Sequence, residues 1–176
     1  CPACDGTRLG ERVRSTLIEG IDLGEASRLT LTELREWVQR VPGLVPEEVA
    51  PMARVIVDEM TEPMQRLVEL GLSYLSLDRA SSTLSNGERQ RVQLARAVRN
   101  QTTGVLYVLD EPTIGLHPAN VDGVLAIIRQ LIADGNSVVV VDHDTRVLGA
   151  ADHLIEIGPG AGADGGRVIF QGPIDE

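Results

Sequence analysis

The sequence predicts an α/β fold in which a mostly helical front leads into a set of parallel strands. Two observations carry this expectation. After residue 100, continuous apolar runs (Val105–Leu109, Val138–Val141, Leu154–Ile157) alternate with helical patterns, as buried parallel strands do. Before residue 100, apolar residues recur at three- and four-residue spacing between proline and glycine breaks. The change of texture falls near residues 71–84.

Taken in order, residues 1–30 read as irregular, with short extended pieces such as Thr16-Leu17-Ile18. Leu34, Trp37, Val38 and Val41 mark a helix over 32–41, with Thr32 as its N-cap and Pro42-Gly43 as its stop. Pro46-Glu47-Glu48 opens a second helix, whose apolar face runs Val49, Met52, Ala53, Ile56, Val57 and Met60. Pro63 breaks that pattern, and a shorter helix follows to Leu70-Gly71. A helix is expected over 87–99. The strand at Val105–Leu109 is followed by helical spacing at Val121, Val124, Leu125, Ile128, Leu131 and Ile132, closed by Gly135-Asn136. A second strand, a short helix over 145–151 and a third strand at Leu154–Ile157 follow. The Gly-rich stretch 158–166 reads as a loop or hairpin, with Arg167–Phe170 as a closing strand. The strands are expected to be parallel and buried on both faces.

Composition excludes several functions. The 176 residues contain 16 basic side chains, and every one is arginine. Without lysine, this chain holds no P-loop lysine and forms no lysine Schiff base. The 26 acids leave a net charge of −10, shared evenly, since residues 1–71 and 72–176 each carry 13 acids and 8 arginines. A purely electrostatic nucleic-acid binder does not look like this. The only aromatics are Trp37, Tyr74, Tyr107 and Phe170, too few for a base-stacking platform. The two cysteines form a single C-x-x-C, which fits a reducing cytoplasm. No apolar run approaches membrane-spanning length, and no signal peptide is expected. The first residue is Cys rather than Met, so the chain is expected to be a piece of a longer protein.

Three motifs carry chemistry. In Val105–Thr113, an apolar strand delivers Asp110 and Glu111 at its carboxyl end. Asp110 can hold Mg²⁺ beside nucleotide phosphates, and Glu111, one residue on, can orient and polarise an attacking water. In Leu84–Arg91, Ser85-x-x-Glu88 is a capping box. Alone it marks a well-capped helix, yet the free N–H groups and dipole of such a terminus also suit a phosphate. His143, in Val141-Asp142-His143-Asp144, ends a buried strand, where a histidine can donate to a phosphate oxygen.

In order and spacing these motifs resemble the second half of an ABC-type ATPase domain: signature loop, Walker B, D-loop and H-loop. The detail narrows the resemblance. Glu88 stands where transporters usually have Gln, and Thr113-Ile114-Gly115-Leu116-His117 replaces the transporter type of D-loop. With Gly71–Leu77, Gly104–Pro112, Gly158–Gly162 followed by Gly165-Gly166, and Cys1–Leu9, the whole chain is similar to the UvrA family, the ABC-type component of the bacterial excinuclease. Gly104–Leu109 and Gly158–Gly162 look more like the family's first ATPase half than its second.

The resemblance implies the C-terminal part of a P-loop ABC ATPase core over 84–176, preceded by a helical signature-domain segment over 1–83. It implies ATP hydrolysis with Mg²⁺ on Asp110, Glu111 as base and His143 on the γ-phosphate. Nucleotide-binding roles fall to Ser85, Asn86, Gly87, Glu88, Asp110, Gly115 and His117. In composite sites, Ser85 and Gly87 would serve ATP held on the opposite half, whereas Asp110, Glu111 and His143 serve their own half's Walker A. The family recognises damaged duplex DNA as a homodimer and passes it to a UvrB-type helicase in nucleotide excision repair. The isolated piece is expected to be inactive, because Walker A is absent from it. Asn86 replaces the family's usual second signature glycine, and Pro118-Ala119-Asn120 also departs from the family. These departures raise the alternative of a drug-resistance or DNA-protection paralogue. An ATPase of the transporter type fits less well.

Two further features remain. Cys1 and Cys4 have the spacing of half a four-ligand Zn²⁺ site, whose other ligands would lie upstream. Arg79, Arg89, Arg91, Arg96 and Arg99 surround one acid, Glu88, in residues 79–99. They form either a DNA-facing stripe or a helix face whose charges are solvated and paired nearby, and the second is the expectation.

Overall fold

A computed structural model describes residue 4 and residues 6–99, 102–160 and 165–174; of Arg99 only the backbone is described. Cys1 lies outside the described residues.

The first thirty residues are more helical than their composition announces. Short helices α1 (Glu11–Arg14) and α2 (Leu23–Arg28) flank a tight reversal in which Ile18 and Ile21 exchange backbone hydrogen bonds of 3.0 and 3.1 Å. Glu19 and Gly20 supply the positive φ angles, 55° and 79°, that such a two-residue turn requires. Asp22 caps α2 by accepting from Glu25 N–H at 2.7 Å, while the Glu25 carboxylate accepts from Asp22 N–H at 2.9 Å.

Helix α3 (Leu31–Arg40) is capped by Thr30, not by the expected Thr32. The reciprocal partner decides this: Glu33 stands three residues beyond Thr30, and Leu31 is already buried inside the helix. Val41–Gly43 tightens into a 3-10 turn, as the Pro-Gly stop implies.

Helix α4 (Ala50–Glu69) departs from expectation at three points. It begins at Ala50, because Pro46 to Val49 form a turn in which the Pro46 carbonyl accepts from Val49 and Ala50 at 3.0 and 3.1 Å. It runs straight through Pro63, although an interior proline costs about 3 kcal/mol and leaves the Glu59 carbonyl without its helical donor. Val57 and Met64, with Met60, Leu67 and Val68 beside them, keep one face on the core across the proline. The first turns lie outward instead, with Met52 69 % and Ile56 51 % exposed. A Schellman end closes the helix. Leu72 N–H reaches back to Leu67 at 3.0 Å and Gly71 N–H to Val68 at 2.9 Å, with Gly71 at φ 73°.

Helix α5 (Asn86–Arg99) leads to β1 (Leu106–Asp110), α6 (Pro118–Ala133) and β2 (Ser137–Val141). The strands pair in parallel, from Leu106↔Ser137 to Asp110↔Val141, with α6 as the crossover. The expectation of strands buried on both faces does not hold. Tyr107, Leu109, Val138 and Val140 pack on the core, but Leu106, Val108, Val139 and Val141 are 60 %, 63 %, 49 % and 55 % exposed. After α7 (Thr145–Leu148), β3 (His153–Ile157) pairs antiparallel with β4 (Val168–Pro173). Among the described residues these two form a separate sheet rather than extending the parallel one.

One apolar cluster joins front and back. It runs from Leu31, Leu34 and Val38 through Leu70 and Leu72 to Leu94, Leu109, Val124 and Leu131. Helix α6 approaches the end of α4 so closely that a Cβ on Gly123 would lie 2.4 Å from the Glu69 carbonyl oxygen. Because that oxygen is backbone, it cannot swing aside. Gly123→Ala is therefore expected to destabilise the protein by about 1–3 kcal/mol, read as a lower thermal or urea midpoint. An unchanged midpoint would contradict this packing.

Candidate active site

Parallel pairing places two strand ends side by side. Asp110 ends β1 opposite Val141, and the next residue, Glu111, donates its N–H to the Val141 carbonyl at 2.7 Å. Glu111 itself has φ 49°, an uncommon angle for a residue with a side chain. The reversal sends Pro112 and Thr113 inward and leaves Asp110 and Glu111 exposed. His143 follows β2 with its side chain 80 % exposed. Asp110, Glu111 and His143 thus share one edge of the sheet, the carboxyl end.

Asp142 is buried beneath them. Its side chain is 1 % exposed, and it accepts from the Thr113 hydroxyl at 2.6 Å and from His143 N–H at 2.7 Å. Burial by itself would raise this carboxyl, but bonds from Thr113, Asp144 and His143 outweigh it and hold the pKa below the usual carboxylate value. The next acid, Asp144, caps α7 by accepting from Arg146 N–H at 2.9 Å. The Arg146 guanidinium pairs with Asp144 at 2.7 Å and also reaches the Pro118 carbonyl at 2.6 Å. The loop carrying His143 is thereby fastened to the start of α6.

The signature segment has the expected capping box. Glu88 N–H donates to Ser85 Oγ at 3.2 Å, and Ser85 N–H donates to the Glu88 carboxylate at 2.6 Å. Ser85 remains exposed, and its hydroxyl proton stays available to an acceptor. Glu88 faces inward, where it accepts from the Tyr74 hydroxyl at 2.7 Å and pairs with Arg79 at 3.3 Å. The Tyr74 hydrogen bond, followed by that from Ser85 N–H, lowers its pKa from 4.5 to about 2. Burial and then the Glu88 carboxylate raise the Tyr74 phenol, which keeps it protonated as the donor.

Asn86 needs no left-handed backbone. It is the first residue of α5, it is not among the positive-φ residues, and its side-chain oxygen accepts from Arg89 at 3.0 Å. Gly87 lies against the turn beyond Glu111. A Cβ there would sit 3.3 Å from Arg91 Nη1 and 3.5 Å from Ile114 Cγ2. Arg91, 6 % exposed, donates to the Ile114 carbonyl at 3.4 Å. Gly115 turns the chain at φ 69°, and His117 caps α6 through its ring, which accepts from Ala119 N–H at 3.2 Å.

The geometry therefore brings Asp110, Glu111 and His143 together, and packs Gly87 against the turn that follows Glu111. Among the described residues no hydrogen bond joins Ser85 to Asp110, Glu111 or His143. The four arginines whose side chains are described do not form one stripe. Arg79 pairs with Glu88, Arg89 binds Asn86, Arg91 is buried, and of these Arg96 is exposed without a described bond. The Cys4 carbonyl accepts from the Thr7 hydroxyl at 2.6 Å. Among the described residues no group of three or more side chains could hold a metal, and no helix is long and apolar enough to cross a membrane. The anchors Tyr74, Arg79, Thr113 and Asp142 were not legible as site residues. The one local signal was the Asp142-x-Asp144 pair directly after an apolar run.

The ABC transporter family model matches residues 13–114, and the chain belongs to the ABC ATPase family. Within that family its likeness is to UvrABC system protein A. It is 44 % identical to that protein of Thermus thermophilus and 40 % identical to that of Aquifex aeolicus, over its full length in both. The crystal structure of UvrA2 from Deinococcus radiodurans superposes with a TM-score of 0.87 at 37 % identity, covering 99 % of this chain and 23 % of that one. The chain spans 18 % of the length of the Thermus relative.

The Glu88 anchor has a pH signature. Because its folded pKa is depressed, its stabilisation is full above about pH 4.5 and is lost as pH falls towards 2. Glu88→Gln should lower stability at pH 7 and flatten the acid limb between those values in denaturant titrations. An acid limb unchanged by the substitution would count against the Tyr74–Glu88–Arg79 cluster.

Proposed function

We propose that this chain is the signature-to-H-loop part of a UvrA-type ATPase that couples ATP hydrolysis to recognition of damaged DNA. The observation that carries the reading is the shared strand edge, where Asp110 and Glu111 end β1 beside His143 at the end of β2.

ATP is cleaved to ADP and phosphate by attack of water on the γ-phosphorus. Glu111, exposed at the edge, accepts the water's proton and orients its oxygen. His143 donates to a γ-phosphate oxygen and stabilises the charge that gathers there. The Asp110 carboxylate has no protein hydrogen bond among the described residues, and its hard oxygens suit Mg²⁺, which when bound neutralises phosphate charge. Ser85 and the N–H groups at the start of α5 offer donors to a second nucleotide, held on the opposite ATPase half. Gly115 and His117 shape the D-loop between the two sites. Glu88 serves by holding Ser85, and Asn86 by bracing Arg89.

The same reading divides the chain into a signature-domain segment over 1–83 and core over 84–176, and assigns it to the first ATPase half. The phosphate-binding lysine comes from outside this lysine-free sequence, so the piece alone is inactive. Cys1 and Cys4 provide two thiolates of a zinc site completed elsewhere. The protein works in the cytoplasm as a homodimer and hands DNA to a UvrB-type helicase.

The test is Glu111→Gln in the full-length protein. Turnover should fall by about 10²- to 10⁴-fold while ATP binding persists. Turnover within about threefold of the unaltered protein would refute the assignment.

A further inference from the structure

We propose that Asp142 is a positioning residue that locks the Glu111 turn to the His143 loop, with Thr113 as its partner. The proposal rests on the reading of Glu111 and His143 given above.

The two carboxylate oxygens divide the work between the loops. Oδ2 accepts from the Thr113 hydroxyl at 2.6 Å and from Thr113 N–H at 3.3 Å. Oδ1 accepts from His143 N–H at 2.7 Å and Asp144 N–H at 3.0 Å. All four partners are donors, so the site calls for an acceptor on both sides. An asparagine could satisfy one pair, but its amide N–H₂ would then face the Thr113 N–H. With the side chain 1 % exposed, water has little access to repair that mismatch.

Position makes the lock matter. Thr113 stands two residues beyond Glu111, and His143 is the residue after Asp142. Glu111 is held at φ 49° by two backbone bonds, its N–H to Val141 at 2.7 Å and its carbonyl from Ile114 at 3.1 Å. A left-handed residue with a side chain persists only where its surroundings over-determine it. The Thr113–Asp142 bonds supply a third tether, and it runs to the loop that carries His143. Asp142 thereby sets the separation between the proton acceptor and the phosphate donor without touching either substrate atom.

The experiment compares Asp142→Asn, Thr113→Val, the double variant, Thr113→Ser and Glu111→Gln in the full-length protein. Each is measured for kcat, KM for ATP, ATP binding and thermal midpoint. Asp142→Asn is expected to lower kcat by about 10- to 100-fold with KM and ATP binding little changed. Thr113→Val should lower kcat in the same direction, the double variant should be no worse than Asp142→Asn, and Thr113→Ser should retain activity. Normal kcat in Thr113→Val and Asp142→Asn with only a lower thermal midpoint would reduce the contact to fold stability and overturn the proposal. Additive losses in the double variant would overturn it too. Should Asp142→Asn fail to fold, the near-isosteric Thr113→Val decides alone. If Glu111→Gln hydrolyses ATP normally, the site reading itself fails and this proposal with it. If Glu111→Gln is inactive while Asp142→Asn is not, only this proposal fails.

Discussion

The parallel pairing of β1 with β2 is the constraint on which the rest depends. It sets Asp110 opposite Val141 and lets the Glu111 N–H extend the ladder by one more bond. Because parallel strands end at the same edge, one crossover through α6 brings an acidic pair and a histidine together from residues about thirty positions apart. The pairing rests in turn on the core beneath it, where Leu109 belongs to one buried cluster with Leu94, Val124 and Leu131. The left-handed Glu111, the buried Pro112 and the Thr113–Asp142 bonds all follow from where that pairing stops.

The helical front adds a second set of chemistry to the same body. The Leu70–Leu75 crossing ties α3 to α4 through the bond from Leu31 N–H to the Leu75 carbonyl, 2.8 Å. It also delivers Tyr74 to Glu88, so the signature loop is held by tertiary contacts as well as by its own cap. Contact of Gly87 and Arg91 with Ile114 then joins the signature helix to the turn beyond Glu111. The start of α5 and the turn beyond Glu111 are in this way packed together.

Much of the fold was legible because much of it is local. The Ser85–Glu88 box depends on residues three apart, and so do Asp22–Glu25 and Thr30–Glu33. The last two were readable by the same rule, which would have corrected the Thr32 cap and revealed α2. Pro63 was misjudged because a local penalty of about 3 kcal/mol is outweighed by a face, Val57 to Leu67, that packs on both sides of it. The strand runs were read as doubly buried since every residue in them is apolar. Apolarity states a capacity for burial on both faces, whereas among the described residues Tyr107, Leu109, Val138 and Val140 pack on the core and Leu106, Val108, Val139 and Val141 stay exposed.

The sequence by itself determined the chemistry available: an Asp-Glu pair after one strand, a histidine after another, a capped glycine-bearing helix start, and no lysine. These are matters of residue type and short spacing, which the chain carries wherever it folds. Only the tertiary structure decided which of those groups stand free and which are consumed. Asp110, Glu111, Ser85 and His143 reach the surface, while Glu88, Asp142 and Arg91 are buried among partners. The reason is that a buried polar group must find its donors or acceptors. Those partners, Tyr74 for Glu88 and Thr113 for Asp142, lie 14 and 29 residues away.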